Sequence, residues 1–152
     1  MQPLAMNEYI QQNLTDVGIK IEFEVAEWNT LINLWRAGAK SDLAKGASAL
    51  NFSYFIQDPF TAFIRHLDSK LVAPNGSNGG FYQDPGMDAL LEKARTTFEA
   101  KAQDEALRQV HEKIVNDALF LFVTHDVAPR AMSPKVTGFV QAKATHIQQS
   151  AL

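Results

Sequence analysis

Two Asp-Pro pairs, Asp58-Pro59 and Asp84-Pro85, punctuate this chain of 152 residues and fix where two of its helices can begin. Proline lacks the N–H that a first helical turn would leave unpaired, and an aspartate just before it can accept bonds from the N–H groups that remain. Helices are therefore expected to start at Pro59 and Pro85. The first pair lies inside "NFSYFIQDPFTAFI", Asn51 to Ile64, where five aromatic side chains crowd around it. The residues before the pair read as the end of a strand and those after it as a helix, with Phe60 and Phe63 packing inward beside Ile64.

Hydrophobic spacing places the other elements. Met6, Tyr9, Ile10 and Leu14 follow a helical period that Gly18 stops. Ile19, Ile21, Phe23 and Val25 then alternate with Lys20, Glu22 and Glu24, the pattern of a half-buried strand over 19–25 near a sheet edge. Trp28, Leu31, Ile32 and Trp35 put both tryptophans on one stripe of a short helix ending near Gly38, and the stripe reads as core. "GASALNFSY" supplies a second strand, 47–52, which would close a right-handed β-α-β unit. Further on, Met87, Leu90, Leu91, Ala94 and Phe98 make one stripe and Leu107, Val110, Ile114 and Ala118 another, as in two packed helices. "LFLFVTH", 119–125, is apolar without alternation, like a central strand covered on both faces. "RAMSPKVTGFV" adds a short strand and a turn. The expected fold is α/β, three layers with a mixed, mainly parallel sheet flanked by helices, forming a single lobe over residues 1–140 before a loose tail, 141–152.

Composition narrows the function classes. With 46% apolar residues the chain can bury the core of one domain. A formal charge of −3, with Lys and Arg scattered, offers no field for phosphates, so nucleic acid is not an expected partner. No apolar run approaches the roughly 20 residues that cross a bilayer, and "MQPLAMNEYI" lacks the charged and apolar regions of a secretory signal. There is no cysteine for a disulfide or a thiolate site. "NGSNGG" lacks the Gly-Lys-Ser/Thr ending of a phosphate loop and reads as a mobile loop, while His66, His111, His125 and His146 are too dispersed to suggest a metal. No serine sits in G-x-S-x-G. Asn13, Asn51 and Asn75 each begin an Asn-x-Ser/Thr match, and Asn13 and Asn51 fall in expected secondary structure. No catalytic residue, metal or cofactor is assigned, and a binding role is expected rather than an enzyme.

Several segments, taken in order, carry a resemblance: "LAMNEYIQQNLTDVGIKIEFEVAEWNTLI", "YFIQDPFTAFI", "NGGFYQDPGMDALLEKA", "LRQVHEKIVNDALFLFVTHD" and "AMSPKVTGFV". Over roughly residues 4 to 140 the chain resembles the extracellular solute-binding proteins of peptide and nickel ABC importers, family 5. In that family two α/β lobes close over an oligopeptide or other solute and deliver it to a membrane permease. The resemblance implies one periplasmic-binding-protein-like lobe, excised from a longer periplasmic or extracellular protein. It further implies a peptide or small-solute ligand, a permease as partner through the full-length protein, and no span of the membrane. Ligand-binding candidates are Phe52, Tyr54, Phe55, Asn78 and Phe81. Phe52 and Phe55 stand where family members that bind free peptide N-termini have a tryptophan and an aspartate, so the resemblance implies an apolar shelf there without the carboxylate that meets an ammonium. Leu119 replaces a usual proline, a departure that concerns only the backbone. An enzyme or sensor on the same scaffold is the alternative, and a structural domain with the aromatics buried is the plainest one.

Overall fold

A computed structural model describes residues 4–46, 49–50, 58–123 and 131–139. Among the described residues five α-helices follow one another: α1 (Leu4–Asp16), α2 (Trp28–Ala37), α3 (Pro59–Leu67), α4 (Pro85–Thr96) and α5 (Ala100–Asn116). Short 3-10 turns lie at Asp42–Ala44 and Ser69–Leu71. The chain groups into two compact units, Met1–Tyr54 with Arg65–Asp84, and Phe55–Ile64 with Pro85–Leu152.

The second unit is built on α4 and α5, which pack against each other. Among its described residues Met87, Leu91 and Ala94 of α4 and Ala106, Leu107, Val110 and Ile114 of α5 are buried; all but Ala106 belong to the two apolar stripes read from the sequence, of which Leu90 is only half-buried. Phe98 and Ala118, placed on the same stripes, lie beyond the helix ends and are exposed. Ala94 and Ala106 leave room for larger neighbours, and Phe60 and Phe63 of α3 pack on them and on Leu107. Glu99 caps α5 by accepting from the N–H groups of Lys101 and Ala102 at 3.1 and 2.7 Å. On the exposed face of α5, Arg108 bridges Glu105 and Glu112, and its hydrogen bonds hold the Glu105 carboxyl down at about 2. Those charges are solvated and contribute little to stability.

Both Asp-Pro pairs mark helix starts, as expected. Asp58 accepts from the Thr61 N–H at 2.8 Å and from the Thr61 hydroxyl, and these bonds hold its carboxyl below the usual carboxylate value. Gly18 and Gly38 stop α1 and α2 at φ of +85° and +84°, a region glycine enters without steric penalty.

The expected three-layer α/β sheet does not form: among the described residues there is no strand, only an isolated parallel bridge between Val72 and Asn78. Residues 19–25 are irregular, and Val25 is 91% exposed. One carbonyl of that stretch, Ile21 O, is met by the Gln11 side chain at 2.9 Å instead of by a neighbouring strand. Of the expected strand 47–52 only residues 49–50 are described, and they are irregular. Residues 119–123 are likewise irregular and Leu121 is 67% exposed, so the segment is not a central strand; residues 124–125 lie outside the described ones. The physical reason is that alternation or an apolar run selects a face for a strand but supplies no partner, and a strand exists only in a ladder. "RAMSPKVTGFV" forms no strand over its described part either, though its turn is present, with Val136 N–H donating to Ser133 O at 3.0 Å.

Candidate functional site

The first unit carries a shallow apolar groove lined by Trp28, Leu31, Ile32, Trp35 and Leu50. Four of these are the i, i+3, i+4, i+7 stripe of α2, so the period was legible. Its burial was not: Trp28 is 52% exposed and no residue of α2 is buried. The stripe forms an open aromatic wall rather than core. Leu50 gives the groove its remaining wall, two residues before Phe52 in the chain.

Trp35 is held by the loop that follows α3. Its indole Nε1 donates to Ser77 O at 2.9 Å, and His66 lies against it with ring centroids 5.6 Å apart. Gly79 approaches so closely that a Cβ there would stand 2.9 Å from the Trp35 carbonyl oxygen. The loop itself is tied by Asn78, which is 0% exposed. Asn78 Nδ2 donates to Tyr82 O at 2.7 Å and to Asp68 O at 3.2 Å, while its Oδ1 accepts from Tyr82 N–H at 3.1 Å. A buried amide satisfied by three backbone groups is a local organiser.

Phe81, half-buried, has a φ of +56°, which is unusual for a bulky residue. Its N–H donates to Asn78 O at 3.3 Å, and its ring packs so close to Gly38 that a Cβ there would lie 2.6 Å from Cε2. The Lys40 ammonium stands 4.6 Å over the ring, an attraction worth about 0.5–1 kcal/mol at an exposed site.

Of the sequence-derived candidates, then, Asn78 and Phe81 sit in one loop, and Phe52, Tyr54 and Phe55 lie outside the described residues. The groove on α2 was missed as a site; its signal was a double-tryptophan stripe that reads equally well as core. Among the described residues no group of three or more His, Asp or Glu is placed to hold a metal ion. His111 contacts Phe63 and Phe122 through its ring, and His125 and His146 lie outside the described residues.

Burial holds His66 below the ordinary imidazole value, and the Arg65 charge pushes the same way. The unfolded histidine therefore takes up its proton first as pH falls. Its contribution to stability is complete above about pH 6.5 and is lost as pH drops through the lower folded value. The urea midpoint followed by tryptophan fluorescence is expected to fall between about pH 7 and pH 5, with a smaller slope in His66→Gln. Equal slopes in the two proteins would contradict the assignment.

No family profile matches the chain, and no solved structure matches it significantly. Over 132 residues, 87% of the chain, it is 26% identical to a Pseudomonas aeruginosa protein described as "probable di/tripeptide-binding protein 5". The chain spans 24% of that protein's length. No described helix is long and apolar enough to cross a membrane.

Proposed function

We propose that this chain is a ligand-binding part of a peptide- or solute-binding protein that serves an ABC importer in the periplasm or outside the cell. The observation that carries the reading is the similarity, along 87% of the chain, to a protein described as binding di- and tripeptides. The groove supports it physically. Aromatic faces give a large contact area that tolerates many side chains, and a solute cleft needs apolar walls and a few polar groups rather than an acid–base pair.

In this reading Trp28 and Trp35 form one apolar wall and Phe52, Tyr54, Phe55 and Phe81 face the ligand. Asn78 serves the same site by fixing the loop that carries Phe81 and steadies Trp35. Residues 1–140 supply part of an enclosing surface that a longer protein completes, and the permease meets that longer protein.

Calorimetry with di- and tripeptides bearing apolar side chains tests the proposal. A partial enclosure should bind weakly, with a Kd near about 1 mM, and Trp28→Ala should weaken binding by about tenfold, the loss of roughly 1.4 kcal/mol of ring contact. Because Trp28 is exposed, the substitution should leave the melting temperature nearly unchanged. Peptide hydrolysis by the chain, or binding indifferent to Trp28, would overturn the proposal.

A further inference from the structure

The loop between α3 and α4 contains the dipeptide Asn-Gly twice, at Asn75-Gly76 and at Asn78-Gly79. Asparagine before glycine is chemically labile, because the glycine nitrogen meets no side-chain obstruction on its way to the asparagine Cγ. That nitrogen loses its proton and bonds to Cγ; the Cγ–Nδ2 bond breaks and ammonia departs with the proton. Water then opens the resulting succinimide at either carbonyl, giving aspartate or isoaspartate.

The two sites share this chemistry and differ in their surroundings. Asn75 is exposed. Gly76 N–H donates to Val72 O at 3.1 Å, one bond that must open before attack. Asn78 is 0% exposed and its amide is held by three hydrogen bonds, so the rotation that would bring Cγ over the Gly79 nitrogen breaks all of them. The two glycines are alike in being held, Gly79 by its N–H bond to Ser77 O at 2.9 Å and its approach to Trp35, Gly76 by its approach to the Leu71 backbone, so the contrast lies in the asparagine side chains.

We propose that Asn75 is a site of spontaneous deamidation in the folded protein and that the fold shields Asn78 from the same reaction. The modification places a new carboxylate, and in the isoaspartyl product an extra backbone methylene, in the loop that ends at Phe81. It ages the molecule at this loop without touching the asparagine that organises it.

The intact chain is incubated at mildly alkaline pH, folded and in parallel in urea, and each asparagine is followed by peptide mapping with mass spectrometry. In the folded chain Asn75 is expected to convert at least about tenfold faster than Asn78, the ratio that about 1.4 kcal/mol of additional local opening free energy imposes. In urea the two rates should converge. Equal rates in the folded chain, faster loss at Asn78, or no conversion at Asn75 while both react in urea would each overturn the proposal.

Discussion

Asn78→Ala is expected to lower the stability of the first unit by about 3 kcal/mol, since it removes the amide that accepts from the Tyr82 N–H and donates to Tyr82 O and Asp68 O, and a buried polar group that loses its partner costs about 1–3 kcal/mol. The Asp68 carbonyl keeps the bond from the Leu71 N–H at 3.0 Å, which holds the total below the sum of three lost bonds. Asn78→Asp separates hydrogen bonding from size. It is nearly isosteric, yet it loses both donors and turns a charge toward two carbonyl oxygens, so at neutral pH it should be at least as damaging as alanine. Both tryptophans of the chain lie on α2, and Trp35 is bonded to the same loop, so tryptophan fluorescence in a urea titration reports on this unit. A loss under about 1 kcal/mol for alanine, or a harmless aspartate, would mean that the amide does not organise the loop.

Ile114→Ala should cost about 2–5 kcal/mol, the usual range for emptying a fully buried aliphatic site. Ile114 is 0% exposed on the face of α5 that carries Leu107 and Val110, and its neighbour Val115 is 53% exposed. Val115→Ala therefore provides the control and should stay within about 0.5 kcal/mol of the parent. Denaturant midpoints read by far-UV circular dichroism suit a unit whose core is helical. Equal losses from the two substitutions would show that the buried face of α5 is misassigned.

The features legible in the sequence were those encoded within a few residues. Asp58 and Asp84 announce helix starts, Gly18 and Gly38 announce stops, and the stripes of α4 and α5 name their own buried faces. The sheet was misread because strand pairing is not local. The alternation at 19–25 and the apolar run at 119–123 state a preference that only a neighbouring strand could satisfy, and among the described residues none does. The site was half legible for a related reason. The α2 period was plain, but whether a stripe becomes core or an open wall depends on what covers it, and Trp28 is left uncovered. Asn78 could be named from its loop, yet its work depends on Asp68 and Tyr82, which no motif links to it. The aromatic stretch Phe52 to Phe55, the strongest lexical signal for a binding shelf, falls outside the described residues and stands as part of the proposal.

The central claim, that the α2 groove and its supporting loop receive a peptide, is tested most directly by nuclear magnetic resonance. The two indole N–H signals would be followed while a tripeptide with an apolar side chain is titrated into the chain. Both signals should move along saturable curves with one common Kd, accompanied by the amides of residues 77–82 because Trp35 is bonded to Ser77. Indole signals that stay fixed at saturating peptide, or shifts confined to α4 and α5, would contradict the account.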